Sequence, residues 1–358
     1  MPLLPALALT LVAMAGCREP AETAFRYSTD ASSRAGLVAL ADGVITGNEA
    51  GTVVRLDRLG LPVWRVALGR EVATRPALAG DSVIVGTVAG DLVRLSISDG
   101  AERWRLTGEP PVLTPIVADE EGASVYLVAP DGAVRAHAVD TGKVRWRYPA
   151  PKTPGGTPEA TRALPSPVLS GGLLVVSQGD AGLLLALSTA DGSLAWQRDV
   201  RDMVGMVSWR DALYASTRKG GVLALSLRDG SPLWEQAPAA TVTGPPSVAL
   251  GTLWVGTSGP ESAWLVGLAL ADGKEVARVP LPAPLVSGVA SVRDEVLLVP
   301  TGGREGRLVA LKQPGWERAF TLRTDTPLRT RPVVLGDQVF VLGLDGRVLS
   351  WRLRPPEP

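Results

Sequence analysis

The sequence predicts an all-β chain folded as an eight-bladed β-propeller of four-stranded antiparallel blades, its ring closed by an N-terminal strand. Three observations predict it. A Gly is followed four residues later by Trp at Gly60/Trp64, Gly100/Trp104, Gly142/Trp146, Gly192/Trp196 and Gly230/Trp234, and the series continues with Ala in the Trp place at Gly273/Ala277 and Gly315/Ala319. These pairs recur about every 40 residues, the length of one four-stranded blade. Glycine and proline, 40 and 30 of the 358 residues, are scattered as punctuation, which suits many short strands better than long helices.

Within each unit the elements keep one order. A Pro-led strand opens it, as in Arg75-Pro76-Ala77-Leu78, Pro165-Ser166-Pro167-Val168 and Arg331-Pro332-Val333-Val334. A Gly/Asp turn and a second strand follow, such as Asp81 to Gly86. Third strands read as near-continuous apolar runs, Leu183 to Leu187, Val222 to Leu227 and Leu265 to Leu270. A strand apolar on both faces must be covered on both, and stacked blades provide that cover. The fourth strand follows an Asp-Gly or Thr-Gly turn and carries the Trp. An indole buries about 150–250 Å² and can set its N–H against a carbonyl, so the five tryptophans anchor outer strands. A row of ligand-stacking aromatics is the alternative.

Seven fourth strands are visible, and an eighth unit begins at Pro332 with strands over Pro332–Leu335, Gln338–Leu342 and Arg347–Leu353. Its missing fourth strand would leave an open edge. The segment Ala24 to Thr29 fills it and closes the ring. Seven blades remains the alternative if the sixth or seventh unit is miscounted.

Lys plus Arg and Asp plus Glu both total 36, so no net charge draws in nucleic acid or anionic lipid. Leu3 to Ala15 is apolar apart from Thr10, too short to span a bilayer, which takes about 20 helical residues. It ends in Met14-Ala15-Gly16-Cys17, which resembles the lipobox of bacterial lipoproteins. That resemblance implies a signal peptide over 1–16, cleavage before Cys17, and a diacylglycerol on its thiol. A lipidated tether over 17–23 would then lead into the propeller at 24–358, in the bacterial envelope and on the periplasmic side of the outer membrane. Cys17 is the only cysteine, so stability comes from packing without an intrachain disulfide. His137, the only histidine, has no second histidine to share a metal with and is read as a strand-face residue. The Asp residues Asp99, Asp191, Asp229 and Asp272 sit in Asp-Gly turns, where turn chemistry accounts for them.

The repeat Gly221-Val222-Leu223-Ala224-Leu225, followed by Asp229-Gly230 and Trp234, resembles the quinoprotein-type propeller repeat from about Ala24 to the end. With eight units, one lipidated N-terminus and no appended domain, the chain is similar to the BamB-like propeller lipoproteins of outer-membrane β-barrel assembly. The resemblance implies a non-catalytic scaffold, monomeric as a propeller, whose partner is the periplasmic part of the barrel-assembly protein. A propeller subunit of another envelope complex, or a sensor, is the alternative. Quinone-dependent dehydrogenases use the same repeat on a longer chain, many with an adjacent cysteine pair and a calcium held by Glu, Asn and Asp. This sequence has one cysteine and no cluster of acids at ligand spacing, so no catalytic residue, metal or cofactor is assigned.

The Gly142 to Gly192 interval is the one long spacing, its excess lying in the Pro- and Gly-rich stretch Pro149 to Ala163. Such a stretch cannot form a ladder strand and is read as a stiff exposed loop. In BamB-like proteins the loop here helps to bind a periplasmic domain of the barrel protein, with an Arg before the next Pro-led strand. Arg162 stands at that place. An acidic pair before the following unit is reduced here to Asp202, with Met203 and Met206 alongside. A solvated linker with an incidental Arg is the alternative reading of this stretch.

Overall fold

A computed structural model describes residues 20–119, 121–151, 164–237 and 240–354. Cys17 and Arg162 lie outside these residues. Short apolar runs divided by tight turns leave the chain only hairpins to form, and successive hairpins build eight antiparallel sheets. In seven of them the strands pair in chain order, from an innermost strand to an outermost one. Blade 6 splits its inner edge in two, Thr241–Val242 and Ser247–Ala249, both paired with Thr252–Ser258.

The eighth sheet closes the ring. Val333–Leu335, Gln338–Leu342 and Arg347–Leu353 form its first three strands, and Ala21–Ser28 is the fourth. Ala21 faces Leu353 and Ser28 faces Arg347, with one irregularity between Thr23 and Phe25. Eight blades is therefore the count. The closing strand starts at Ala21, so residues 21–23, assigned by sequence to the tether, belong to the sheet. Thr29 falls just beyond the strand, where its N–H donates to the Gly346 carbonyl at 3.2 Å.

The apolar core is a ring of eight clusters, each shared by two neighbouring blades. Ile45 and Val53 of blade 1 meet Val83 and Val93 of blade 2, and Val44 and Leu56 meet Phe340 and Val348 of blade 8 across the closure. Third strands are buried on both faces, as the apolar runs require; the middle four residues of Leu183–Ser188 are all inaccessible.

The tryptophans join blades rather than fastening each outer strand to its own blade. Trp64 donates its Nε1–H to the Ile97 carbonyl at 2.8 Å, and Trp104 to Val139 at 2.8 Å. Trp146 donates to Thr189, Trp196 to Leu227 and Trp234 to Leu270, each acceptor lying in the next blade. Each ring also lies against that blade's turn glycine: Trp64 on Gly100, Trp104 on Gly142, Trp146 on Gly192 and Trp196 on Gly230. A Cβ on Gly230 would stand 2.7 Å from the Trp196 ring, and its φ of +69° is left-handed, so two independent constraints select glycine there. In blade 8, Phe25 takes the Trp place and lies against Gly60.

The seventh repeat differs from the sequence reading. The residue facing Ala310 in the Trp slot is Phe320, one position beyond the expected Ala319. The left-handed turn residue is Trp316, φ +56°, not Gly315. The cause lies in the blade before. Ala277 occupies the Trp slot of blade 6, so no indole arrives from that side and the turn of blade 7 has room for a large side chain. Trp316 fills it and meets the fully buried Trp254 of blade 6 edge-on, ring centroids 4.7 Å apart. The interface keeps an indole, supplied from the opposite side.

Candidate functional site

The antiparallel order of each blade puts the links between blades and the turns between second and third strands on one face. The Trp–Gly turns occupy the other. On the first face a cleft of about 910 Å³ opens at blades 4 to 6. Leu164 and Ser166 line it from blade 4, Asp202, Met203 and Met206 from blade 5, and Thr241, Val242, Thr243 and Pro245 from blade 6.

Asp202 ends the link from the outer strand of blade 4 (Leu194–Asp199) to the inner strand of blade 5 (Met203–Trp209). It adopts a left-handed φ of +56°, which Asp tolerates better than most residues. Its carbonyl accepts a 2.8 Å hydrogen bond from the Arg218 N–H, pinning the link to the turn at Arg218–Gly221. Its carboxylate lies 3.7 Å from Lys219 Nζ, and both side chains are well exposed. An exposed pair of this kind contributes at most about 1 kcal/mol, so Asp202 is held chiefly by its backbone.

Arg201, Arg218 and Lys219 surround Asp202, and the cleft carries more positive than negative charge. Sequence reasoning reached Asp202 but not Arg218 or Lys219. The available signal is the hairpin order itself, which returns the turn after the second strand to the face where the strand-leading link enters. Met203 and Met206 belong to the apolar cluster between blades 4 and 5 and offer only an edge to the cleft. None of the five repeat tryptophans lines it. Each indole donates its N–H to a carbonyl of the next blade.

The turn aspartates carry local structure. Asp191 Oδ1 accepts from the Ser193 N–H at 3.0 Å, and Asp229 Oδ1 from the Ser231 N–H at 2.9 Å. Hydrogen bonds from the Ser231 side chain, the Ser231 backbone and Ser226 hold the Asp229 carboxyl at about 2. His137 is fully buried, its Nδ1 2.9 Å from the Gly142 carbonyl and its Nε2 3.8 Å from Glu109. Glu109 is itself taken by Arg135. Among the described residues no group of three or more His, Cys, Asp or Glu side chains could hold a metal ion.

The family described as "Outer membrane protein assembly factor BamB" matches residues 49–276 and 261–352. The BamB of Burkholderia pseudomallei is 25% identical over 336 residues, 88% of this chain and 84% of its own length. That of Moranella endobia is 24% identical over 292 residues, 78% of this chain and 73% of its own. Among solved structures, BamB from Moraxella catarrhalis superposes with a TM-score of 0.76 at 18% identity, covering 93% of this chain and all of that one. Quinohemoprotein alcohol dehydrogenase from Comamonas testosteroni gives 0.74 at 14% identity over 95% of this chain and 78% of its own, a likeness of fold alone. With a family match running from residue 49 to residue 352, this chain belongs to the BamB family of outer membrane protein assembly factors.

Proposed function

We propose that the protein is a non-catalytic scaffold of outer-membrane β-barrel assembly, tethered to the outer membrane through a lipidated Cys17. In this reading it holds the periplasmic domains of the barrel-assembly protein at the cleft of blades 4 to 6. One coincidence carries the reading. The two positions that family resemblance assigns to the partner, Arg162 and Asp202, bracket blade 4, and that blade's links border the cleft. Asp202 lines it, and so does Leu164, two residues beyond Arg162. The surplus of Arg201, Arg218 and Lys219 suits a partner segment rich in carboxylates, and such charge matching accelerates encounter.

The test is titration of the purified chain with the purified periplasmic domains of the barrel-assembly protein. Arg162→Glu is expected to weaken binding by about 2 kcal/mol or more, as for a charged hot spot, with the melting temperature unchanged. Wild-type affinity in that variant removes Arg162 from the site. Wild-type affinity in Arg218→Glu/Lys219→Glu as well removes the cleft.

A further inference from the structure

The channel at the centre of the ring carries an unbalanced charge. Matching the registers of the eight sheets brings one residue per blade to an equivalent place, two before the innermost strand's first ladder pair; Gly205 holds the matching place in the longer strand of blade 5. These residues touch their neighbours around the ring. A Cβ on Gly36 would lie 3.5 Å from Arg75 Cβ, one on Gly205 2.5 Å from Pro245 Cβ, and one on Gly288 3.4 Å from Arg331 Cδ. Of the eight positions only two are charged, Arg75 of blade 2 and Arg331 of blade 8, and both are positive. Around the ring they stand on either side of Gly36 of blade 1; the Arg75 stem leans over Gly36 and the Arg331 stem over Gly288 of blade 7.

Neither guanidinium has a partner among the described residues, and no carboxylate lies near enough to favour its charge. Arg34, two residues before Gly36, shows the contrast, held 2.5 Å from Glu71. Arg75 and Arg331 are exposed, yet neighbouring protein atoms displace part of the water around them. Desolvation pushes both below the ordinary arginine range, and the charge of Arg75 lowers Arg331 further. Two like charges in a confined passage repel, and an anion between them relieves that repulsion. The planar fork of a guanidinium matches the paired oxygens of phosphate or carboxylate.

We infer that Arg75 and Arg331 form an oxyanion-binding site in the central channel, holding between them one small dianion, a phosphate or a dicarboxylate. Arg75 and Arg331 are not among the residues lining the cleft of blades 4 to 6, although Ser166, Gly205 and Pro245 of the same ring of positions are. The mature chain is titrated calorimetrically with inorganic phosphate and, separately, with succinate, in chloride buffer at fixed ionic strength. One saturable site is expected for at least one of the two, and the anion that titrates identifies its source. Arg75→Gln and Arg331→Gln should each weaken it at least tenfold, with Arg75→Lys falling between them and wild type. The bound anion should raise the melting temperature of the wild type but not of the Gln variants. No saturable site for either anion, or unchanged affinity in Arg75→Gln/Arg331→Gln, overturns the assignment.

Discussion

Trp196 donates to the Leu227 carbonyl at 2.8 Å while its ring covers Gly230, so one side chain makes both a polar and an apolar contact across a blade boundary. Truncating it removes the hydrogen bond and opens a cavity that the neighbouring strands cannot fill. Trp196→Ala is expected to cost about 3–5 kcal/mol in urea unfolding, as for other large aromatic truncations. Gly230→Ala should cost at least about 1–2 kcal/mol from the left-handed backbone alone. Because the new methyl would strike the Trp196 ring, the double variant should cost less than the two single changes together, by about 0.5–3 kcal/mol. Strictly additive costs would remove the ring–glycine contact from the account.

Among the elements, Ala21–Ser28 has the largest consequence for its size. It satisfies the outer edge of Arg347–Leu353 and brings Phe25 against Phe340, ring centroids 5.9 Å apart. Without it that edge presents free N–H and C=O groups, a template for pairing with another chain. A chain starting at residue 30 should melt lower and associate at micromolar concentration in size-exclusion chromatography. A synthetic peptide of residues 21–28 should return it to monomer by refilling the edge. A truncated chain that stays monomeric with an unchanged melting temperature contradicts the closing role.

At the scale of the whole molecule, stability resides in eight boundaries with no central core, because each apolar cluster is shared by only two blades. Contacts between nearest neighbours then sum around the ring, and closure spares it the polar caps that an open repeat array needs. The ring also separates two faces, with the Trp–Gly turns on one and the cleft on the other. On the proposed reading, a tether at one point leaves the cleft free to meet a partner. Cys17→Ser is expected to release the protein from envelopes, since a diacylglycerol with one further chain suffices for stable anchoring. Equal membrane retention of wild type and variant after a high-salt wash would refute the anchor.

The repeat was legible in the sequence because its signals are local. Asp-Gly turns, apolar third strands and a recurring Trp each report a hairpin or its burial, and neither needs knowledge of what lies across the blade boundary. Blade number and the closing strand follow from the same periodicity, and so do the roles of Asp191 and Asp229. Arg162 and Cys17 rest on family resemblance alone. The tertiary structure decided what each repeated residue touches. Gly60 and Trp64, four apart in sequence, serve opposite boundaries: Gly60 meets Phe25 of blade 8, and Trp64 meets Gly100 of blade 2. The exchange of an indole from blade 6 to Trp316 of blade 7, the approach of Arg218 to Asp202, and the placing of Arg75 and Arg331 in one ring of positions around the channel are of the same kind. Each joins residues from separate strands or blades, and only packing brings them together. Hydrophobic periodicity encodes that a strand is covered, while the identity of the neighbour comes from the order in which blades stack and the ring closes.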